Sequence, residues 1–551
     1  MIGVNSLRRI TAPRLIFIVA LFWMLLANAA LISNIVRVYP PDQGNLLFLA
    51  GLFLVFLTAN VLLLSLICWP WVQKPLLVIL LVLSAAAAYF MDTYNVIIDQ
   101  TMLLNAVSTD RAEAGDLLSA VFFGYLLLLG LLPALWVSWV NIPWRGLWPE
   151  LKGRLLLLGP LLLASAAVIG LQSDYYASFA REHKALRFYA NPTYYLYSLE
   201  KFVAGASDAN LGPVAAVGED AHIPEIDIDR ELIIVVVGET ARADRFSLNG
   251  YGRETNPELK KQDVVSFTNV WSCGTSTAVS VPCMFSLATA KDYSNKDIKT
   301  RENLLDVLTH ADVNVVWLDN NSDSKGVAVR SEYRNFRSRE VNPVCDSECR
   351  DTGMLTAIAD YVEQHPEGDI LIVLHSMGNH GPAYYKRYPS DFETFTPVCR
   401  TNQLEDCSQT EIDNAYDNAI RYTDHFLSET IELLKEFDDR FETAMLYVSD
   451  HGESLGEYGT YLHGLPMMVA PDVQKHVPMV LWLGKHFDIS QEGRASLAAA
   501  RNLSLSHDNL FHTVLGLMEI QSEVYDPALD LLNISGGRPA NFRYDKDHDQ
   551  P

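Results

Sequence analysis

Apolar residues in the first third of the chain occur in long runs that are separated by polar segments. Five of these runs are long enough, or nearly so, to cross the roughly 30 Å hydrocarbon core of a bilayer as a helix. They cover approximately residues 15–36, 45–69, 75–91, 118–140 and 155–172. The pattern predicts a transmembrane domain of five helices over residues 1–172.

Positive charges near these runs indicate the orientation of the predicted helices. They concentrate before the first run, between the second and third, and between the fourth and fifth, at Arg8, Arg9, Arg14, Lys74, Arg145, Lys152 and Arg154. The other segments are mainly acidic, so the positive-inside rule places the N-terminus in the cytoplasm. Five spans then place everything after about residue 172 outside.

A secretory signal peptide is the alternative for the first run. Arg8 and Arg9, the apolar core and the sequence Ala27-Asn28-Ala29 resemble such a peptide with a cleavage site. The run continues as far as Val36, which favours a membrane anchor. Either interpretation leaves the C-terminal half outside.

A bridging segment over residues 173–218 follows the last run. Its mixture of Tyr with Arg and Lys over 174–204 is typical of a membrane interface. The Gly, Ala, Asp and Pro residues of 205–222 are typical of a linker. We therefore expect an interfacial helix and a linker there, and a separate exported domain over residues 219–551.

Short apolar runs alternate with helical stretches in this second half. Each run is rich in Val, Ile or Leu and ends abruptly in polar residues: ELIIVVVGE, VVSFTNVWS, VNVVWLDNNS, DILIVLHSMGNH, AMLYVSDHGES and KHVPMVLWLG. Such runs are typical of strands buried on both faces, and predicted helices at 353–364 and 411–437 lie between them. The alternation predicts an α/β sandwich with a mostly parallel sheet, whose ligand site lies beyond the carboxyl ends of the strands.

The charge of the chain is concentrated in the exported half. Residues 218–551 carry 29 Lys and Arg against 55 Asp and Glu, whereas residues 1–217 are nearly balanced. The chain has a formal net charge of −24. An acidic surface argues against nucleic-acid binding, which needs a basic one.

The cysteines support export. Cys68 lies alone in a predicted span, whereas the other six are close neighbours in the exported half, at Cys273 and Cys283, Cys345 and Cys349, and Cys399 and Cys407. Close pairs in an oxidising compartment indicate disulfides, and the spacings do not fit a zinc finger. Local pairing is the simplest connectivity, although the sequence leaves it open.

A metal site is the first chemical prediction. Glu239, Asp450 and His451 each follow a predicted strand, and two carboxylates with an imidazole suit Zn²⁺, with Mn²⁺ or Mg²⁺ as alternatives. Either motif alone has an ordinary structural interpretation, as a helix cap or a turn. Their occurrence together at strand ends favours a metal.

The loop between Cys273 and Cys283 offers a nucleophile. A Ser or Thr hydroxyl attacks a substrate only when a base or metal lowers its pKa. A disulfide would hold this loop in place, and the start of a helix can bind a phosphate. The residues alone do not decide between Thr275, Ser276 and Thr277.

Three further residues have chemistry that suits such a site. His380 and His463 lie in Gly-flanked loops and are ordinary surface histidines unless a metal centre is near. Beside one, they suit phosphate binding, proton donation to a leaving group, or a second metal. Lys325 is a candidate phosphate-binding cation, and a solvated loop lysine is its alternative.

Four motifs together resemble one family. GETARADRFSLNGYGRETNP, SCGTSTAVSVPCMFS, LHSMGNHGPAYYKRYP and SDHGESLGEYGTYLHGLP closely resemble the phosphoethanolamine transferases of Gram-negative inner membranes, and the nearest branch is the one that modifies lipid A and includes the mobile colistin-resistance enzymes. The resemblance spans essentially the whole chain. It implies an alkaline phosphatase/sulfatase-like fold for the exported domain.

The resemblance also implies roles for individual residues. Thr277 matches the nucleophile, and the catalytic zinc ligands match Glu239, Thr277, Asp450 and His451. Residues that bind substrate or a second zinc match Lys325, His380 and His463, and we add Asn321 to them. A trio that binds the lipid substrate matches Asn105, Thr109 and Glu113, whose spacing of four would place them on one helix face; a solvated periplasmic helix is the alternative.

The implied reaction transfers phosphoethanolamine from phosphatidylethanolamine to lipid A through a phosphoryl-threonine intermediate. The resemblance implies that the enzyme depends on zinc and confers polymyxin resistance. We expect the enzyme to be a monomer. Transfer to core sugars of the lipopolysaccharide and phosphoglycerol transfer are the alternatives within the superfamily. A sulfatase is disfavoured because no C-x-P-S-R motif is present. A silent sensor on the same fold is disfavoured by the complete set of candidate ligands.

Overall fold

A computed structural model describes residues 9–42, 44–109, 111–206 and 212–536 of the chain. They fall into two compact units. The first consists of Met1–Leu103 with Leu117–Ser207, and the second of Leu104–Asp116 with Asp208–Pro551.

The first unit is helical. The α-helices between Ala12 and Ala206 are α1 (Ala12–Leu26), α2 (Ala29–Val38), α3 (Leu46–Ile67), α4 (Gln73–Tyr94), α5 (Gln100–Ser108), α6 (Arg111–Leu117), α7 (Ala120–Trp139), α8 (Leu147–Leu171), α9 (Ser173–Glu182) and α10 (Thr193–Ala206). Of these, the end of α5 and nearly all of α6 belong to the second unit. Among the described residues, α3, α4, α7 and α8 are long and apolar enough to span a membrane. The pair α1 and α2, bent by 57°, makes a fifth if the two helices form one span. The prediction of a helical membrane region is confirmed.

The bend between α1 and α2 lies at Asn28, within the sequence that resembles a cleavage site. Asn28 is buried, and its side-chain amide donates to the backbone carbonyl of Asn191 at 2.7 Å and to that of Trp23 at 2.9 Å. The amide nitrogen of Asn191 donates back to Asn28 Oδ1 at 2.9 Å. A polar residue inside an apolar run is thereby satisfied within the unit, as an apolar environment requires.

The second unit is built on an eight-stranded sheet. Its strands are β1 (Glu231–Gly238), β2 (Val264–Trp271), β3 (Asn314–Asp319), β4 (Glu332–Asn335), β5 (Ile370–His375), β6 (Glu442–Ser449), β9 (His476–Leu483) and β10 (Leu505–Ser506), in the order β10-β2-β9-β6-β1-β5-β3-β4. A separate hairpin consists of β7 (Ser454–Leu455) and β8 (Tyr461–Leu462).

Helices cover both faces of the sheet. They are α11 (Thr277–Met284), α12 (Asp297–Thr300), α13 (Leu304–His310), α14 (Ile358–Gln364), α15 (Gln409–Phe437), α16 (Gln491–Ala499), α17 (Asp508–Leu517) and α18 (Leu531–Ile534). Alternate residues of β1 point into two separate cores. Val235 packs with residues of α13 and α17, whereas Ile234 packs with residues of α14 and α15. The α/β sandwich is therefore confirmed.

The central strands β1, β5 and β6 are parallel and are buried on both faces, as their continuous apolar sequences predict. β9 differs, since it runs antiparallel to both β2 and β6. Apolar composition alone does not report strand direction. The edge strand β4, with the polar sequence EYRN, and the two-residue β10 carry too little apolar pattern to be predicted.

Residues 215–217 lie inside the predicted linker but already belong to the sandwich. The amide of Ala215 donates to the carbonyl of Thr300 at 2.8 Å, and the amide of Glu302 donates to the carbonyl of Ala215 at 2.9 Å. Val217 packs in the core beside α13. The chain is thus attached to the sandwich well before β1 begins.

A buried pair of carboxyl groups lies at the amino end of the central strands. Glu231, which begins β1, is 1 % exposed, and its amide donates to Asp369 Oδ1 at 3.2 Å. Burial, together with the neighbouring Asp369, raises the pKa of Glu231 far above its usual range, and burial also raises the pKa of Asp369. One proton is therefore held between the two side chains.

Replacing Glu231 by Gln should make the protein more stable at pH 8. A raised pKa means that the folded state holds a proton that the unfolded state releases above the ordinary value of 4.5, so the stability from this pair is lost as the pH rises. Gln supplies a hydrogen-bond donor at every pH. Thermal unfolding of the detergent-solubilised chain should show a midpoint a few degrees higher for Glu231→Gln at pH 8, and a smaller difference at pH 5. Glu225→Gln, at an exposed position, is the control; an equal shift in both variants would contradict the shared proton.

Candidate active site

Three adjacent strands end at one point of the sheet and bring the candidate ligands together. Gly238, the last residue of β1, lies opposite Ser449 at the end of β6, and Val237 lies opposite His375 at the end of β5. Glu239 and Asp450 follow those ends directly. The predicted location of the site at the carboxyl edge of the parallel strands follows from this register.

Glu239, Asp450 and His451 form a compact group. Each offers one ligand atom, and the three atoms lie within 4.8 Å of one another. His451 Nε2 is 3.5 Å from Glu239 Oε1 and 3.3 Å from Asp450 Oδ2. All three side chains are fully buried. Within the described part of the chain, this is the one group of three or more His, Cys, Asp or Glu residues with such geometry.

The remaining hydrogen bonds orient these side chains. Asn321 Nδ2 donates to Glu239 Oε2 at 2.8 Å, and the amides of Thr240 and His451 donate to Asp450 Oδ1 at 3.2 and 2.7 Å. His451 Nδ1 lies 2.9 Å from the carbonyl of Gly452, so Nδ1 carries the proton and Nε2 presents its lone pair to the site. Glu239 Oε1 and Asp450 Oδ2 are buried and accept no hydrogen bond.

The pKa values of Asp450 and His451 are shifted in opposite directions. Burial, and next the charge of Glu239, raise the pKa of Asp450 well above its usual range. Burial, and next His463, lower the pKa of His451 well below its usual range, so the imidazole is neutral. A neutral imidazole and two crowded carboxylates are the state that a bound cation stabilises.

Thr277 is the hydroxyl residue that reaches this group. Thr277 Oγ1 donates to Glu239 Oε2 at 3.1 Å and lies 3.4 Å from His451 Nε2. The hydroxyl of Thr275 donates instead to the carbonyl of Leu465 at 2.6 Å. Ser276 precedes α11, and its hydroxyl has no hydrogen-bond partner. The hydroxyl contacts therefore distinguish Thr277 from Thr275 and Ser276, between which the sequence alone did not decide.

The loop that carries Thr277 is held at several points. A disulfide joins Cys273 to Cys283, and the other two local pairs, Cys345–Cys349 and Cys399–Cys407, are disulfides as predicted, with Cys68 free. The amide of Cys273 donates to His507 Nδ1 at 3.2 Å. Gly274 cannot be replaced by a residue with a side chain unless neighbouring atoms move. A Cβ there would lie 2.7 Å from Ser280 Oγ and 3.1 Å from the backbone nitrogen of Ser280.

His463, His380 and Lys325 lie beside this group. The ring of His463 is 4.4 Å from that of His451 and 5.4 Å from that of His380, measured between centroids. Lys325 Nζ donates to the carbonyl of Ser322 at 2.7 Å. A small cavity of about 30 Å³ opens at Thr277 and is lined by Asn105, Ser108, Thr109, Thr277, Ala278, Ser322, Lys325 and His463.

The candidate lipid-binding trio does not lie on one helix. α5 ends at Ser108 and α6 begins at Arg111, so the expected single helix face is wrong. Asn105 and Thr109 still line the cavity at Thr277, and Thr109 Oγ1 donates to the carbonyl of Asn105 at 2.8 Å. The side chain of Glu113 lies outside the described residues.

Several supporting residues were missed in the sequence. Glu453 Oε2 lies 3.2 Å from His463 Nδ1, and Asp351 accepts hydrogen bonds from the amides of Met377 and Gly378 in the loop before His380. The position of Glu453, three residues after Asp450, was a signal available in SDHGES. His375 is a structural residue instead, since its Nδ1 is 2.9 Å from the buried carboxylate of Asp319.

Comparison with known proteins identifies the class. Residues 231–520 match the Sulfatase family model, and residues 56–206 match the model described as Phosphoethanolamine transferase EptA/EptB. The Phosphatidylethanolamine transferase Mcr-1 of Escherichia coli is 42 % identical over 535 residues, which cover 94 % of this chain and 96 % of that protein. The Phosphoethanolamine transferase EptA of Salmonella typhimurium is 40 % identical over 516 residues, which cover 92 % and 93 %.

A solved structure has the same architecture over the whole chain. The integral membrane protein lipooligosaccharide phosphoethanolamine transferase A (EptA) from Neisseria meningitidis matches with a TM-score of 0.91 and 34 % identity, covering 96 % of this chain and 99 % of that one. The chain belongs to the phosphoethanolamine transferase family. It is an integral membrane enzyme with a sulfatase-like catalytic domain in the periplasm.

Removing one carboxylate of the site should lower metal content before it affects folding. Asp450→Asn keeps the shape of the side chain but removes one buried negative charge that a cation would offset. We expect purified Asp450→Asn to contain well under half the zinc of the unaltered protein by elemental analysis, with unchanged far-UV circular dichroism. Asp391→Asn, remote from the site at an exposed position, is the control. Equal zinc in both variants would exclude Asp450 as a ligand.

Proposed function

We propose that this enzyme transfers phosphoethanolamine from phosphatidylethanolamine to lipid A, and that Thr277 carries the phosphoethanolamine between the two lipids. The observation that supports this best is the position of Thr277 Oγ1, which contacts both Glu239 at 3.1 Å and His451 at 3.4 Å. A hydroxyl at a cluster of candidate metal ligands is the arrangement that nucleophilic catalysis of phosphoryl transfer needs.

Zinc fits the residues of this site. Two carboxylates, an imidazole and a hydroxyl are hard and borderline donors that zinc accepts in four-coordinate sites. The unpartnered oxygens Glu239 Oε1 and Asp450 Oδ2 are both completely buried, and buried anions of this kind need a partner. When bound, zinc would lower the pKa of the Thr277 hydroxyl and stabilise negative charge on the phosphoryl group.

In the first step, Thr277 Oγ1 forms a bond to the phosphorus of phosphatidylethanolamine. Glu239 Oε2 accepts the hydrogen bond of this hydroxyl and is the acceptor placed to take its proton. The bond between phosphorus and the glycerol oxygen breaks, and diacylglycerol leaves with a proton. His463 lines the cavity that contains Thr277, whereas His380 lies beyond its ring. We therefore assign the proton donation to His463.

Glu453 positions His463 for this role. Its Oε2 is 3.2 Å from His463 Nδ1, and the Glu453 side chain is fully buried. A carboxylate on one ring nitrogen fixes the tautomer and keeps the other ring nitrogen for the leaving group. In the second step a phosphate oxygen of lipid A gives its proton to His463 and bonds to phosphorus, the bond to Thr277 Oγ1 breaks, and the threonine recovers its proton from Glu239.

The residues that line the cavity at Thr277 suit contact with the phosphate of a phospholipid. Lys325 supplies a cation for the phosphate, and Asn105 and Thr109 supply hydrogen-bonding groups in the same cavity. Asn321 holds Glu239 through its amide and so acts on the ligand rather than on the lipid. Both substrates are membrane lipids, which explains why the catalytic domain is attached to a transmembrane domain.

Lipid A as acceptor is tested in cells. Expression in a sensitive Gram-negative host should add phosphoethanolamine to lipid A and raise polymyxin resistance several-fold, because the added ammonium group weakens the attraction of cationic peptides to the phosphate. Mass spectrometry of extracted lipid A measures the modification directly. Thr277→Ala should show neither effect at an equal membrane level of protein.

Thr289→Ala, a matched change at a hydroxyl residue outside the site, should retain both effects. Phosphoethanolamine found only on core sugars would contradict lipid A as the acceptor. Phosphoglycerol in the product would contradict the head group.

A further inference from the structure

A cavity of the transmembrane unit lies between the beginnings of α1 and α8. Its volume is about 620 Å³, and its walls are formed by residues of α1, of α8 and of the segment that precedes α8. All of these residues belong to the same compact unit. The reaction proposed above gives this cavity no function.

The cavity lies at the cytoplasmic end of the unit. The catalytic domain follows α8 in the chain and is periplasmic, so the beginning of α8 lies at the opposite face of the membrane. The beginning of α1 lies beside it, because the amide of Ile10 donates to the carbonyl of Asn141 at 3.1 Å and joins the two preceding segments. Trp144 and Trp148 are exposed here, as is typical of the level of the lipid head groups.

Two arginines of this cavity carry charges that no neighbouring side chain offsets. Arg14 and Arg145 both line the cavity and are exposed. Among the residues that the structure describes, neither side chain has an ion pair, a hydrogen bond or a contact with an aromatic ring. The segments before α1, between α3 and α4 and between α7 and α8 contain no Asp or Glu. The cytoplasmic end of the unit is therefore positively charged at this cavity.

The acidic residue among those that line the cavity is already offset within the protein. Glu150 is buried, and its charge acts on Arg154, which lies one turn further along α8. Arg154 is buried as well and donates to two backbone carbonyls at the end of α3. Because these two buried charges cancel, Arg14 and Arg145 determine the sign of the potential in the cavity.

The wall of the cavity further along the helices is apolar. Phe17 and Ile18 lie one turn beyond Arg14 on α1, and Leu156 and Leu157 contribute to the wall from α8. Side chains three and four positions apart share one face of a helix, and four residues advance it by roughly 6 Å. The cations thus lie at the level of the head groups, and the apolar side chains lie deeper, toward the hydrocarbon.

This arrangement suits a phospholipid with a negative head group. Guanidinium groups bind phosphate through paired, charge-assisted hydrogen bonds. Basic pockets between transmembrane helices at the cytoplasmic side are a recurrent form of anionic-lipid site. Phosphatidylethanolamine fits less well, because its ammonium group would lie beside two arginines while the carboxyl group of Glu150 is buried.

We propose that the cavity between α1 and α8 binds one anionic phospholipid of the cytoplasmic leaflet. Its phosphate contacts Arg14 and Arg145, and its acyl chains lie against the apolar wall. A lipid in this position joins α1, which begins the unit, to α8, which leads to the catalytic domain, and so stabilises the transmembrane unit. The proposal concerns a site outside the active site and does not depend on the proposed function.

The test measures lipid binding to the full-length protein in detergent micelles, without substrate turnover. Phosphatidylglycerol or phosphatidylethanolamine is added at increasing concentration, and native mass spectrometry counts the lipid molecules that remain bound. The double variant Arg14→Ala/Arg145→Ala is compared with Arg9→Ala/Lys152→Ala. This control removes two positive charges from the same end of the unit at exposed positions that do not line the cavity.

We expect the unaltered protein to retain one phosphatidylglycerol molecule and to bind phosphatidylethanolamine several-fold more weakly. The Kd for phosphatidylglycerol should rise about tenfold or more in the double variant, as expected for loss of charge-assisted hydrogen bonds. It should also rise with ionic strength in the unaltered protein. Arg14→Lys/Arg145→Lys should recover part of the loss, and the control should bind as the unaltered protein does.

Thermal unfolding provides a second measurement that also reports folding. Phosphatidylglycerol should raise the unfolding midpoint of the unaltered protein and of the control, because a ligand that binds only the folded state stabilises it. The double variant should unfold at the unaltered midpoint without lipid and gain little when lipid is added. Arg14→Gln/Arg145→Gln, which keeps polar side chains of similar length, should show the same loss of lipid binding if the alanine variant does not fold.

Three results would each overturn the proposal. The first is an unchanged Kd for phosphatidylglycerol in the variants that lack both arginines. The second is equal affinity of the unaltered protein for phosphatidylglycerol and phosphatidylethanolamine, which would remove recognition by charge. The third is an equal loss in the control, which would attribute the effect to the total charge at this end of the unit.

Discussion

The structure depends on the burial of two carboxylates, Glu239 and Asp450, at the carboxyl edge of the central strands. Both are inaccessible to solvent, and each keeps one oxygen without a hydrogen bond. Charges of like sign in such a place are costly unless a cation accompanies them. The shift of the pKa of Asp450 to well above its usual range expresses this cost in the absence of a cation. A bound metal ion would relieve it, and Glu239, Asp450 and His451 each place one ligand atom where the three could hold such an ion.

The rest of the site follows from this constraint. Asn321 and the amides of Thr240 and His451 hold the outer oxygens of the carboxylates and leave the inner ones for a ligand. The disulfide between Cys273 and Cys283 and the contact to His507 bring Thr277 to the same point. Burial lowers the pKa of His507 to about 4, so the imidazole is neutral and accepts from the amide of Cys273 while its other nitrogen donates to Ser449. Thr277 is therefore held beside the same strand ends that carry the candidate metal ligands.

The sequence predicts those parts of the molecule that depend on local pattern. The buried strands β1, β3, β5 and β6 are continuous apolar runs, and the polar residues that follow them mark the site. Other features depend on contacts between distant residues. The antiparallel direction of β9 arises from pairing with β2 and β6, and the choice of Thr277 over Thr275 arises from which hydroxyl reaches Glu239. The pairing of Asp116 with Arg387, 271 positions apart, has no local signal at all. The break between α5 and α6 was missed because the spacing of Asn105, Thr109 and Glu113 also fits a continuous helix.

The central claim is that Thr277 becomes covalently modified during turnover. Intact-protein mass spectrometry of the enzyme, incubated with phosphatidylethanolamine and no acceptor, tests it most directly. The account predicts an increase of one phosphoethanolamine group, mapped to Thr277 by peptide fragmentation and absent from Thr277→Ala. The group should disappear when lipid A is added. A modification that persists in Thr277→Ala, or lipid A modified by an enzyme that never carries the group, would contradict the account.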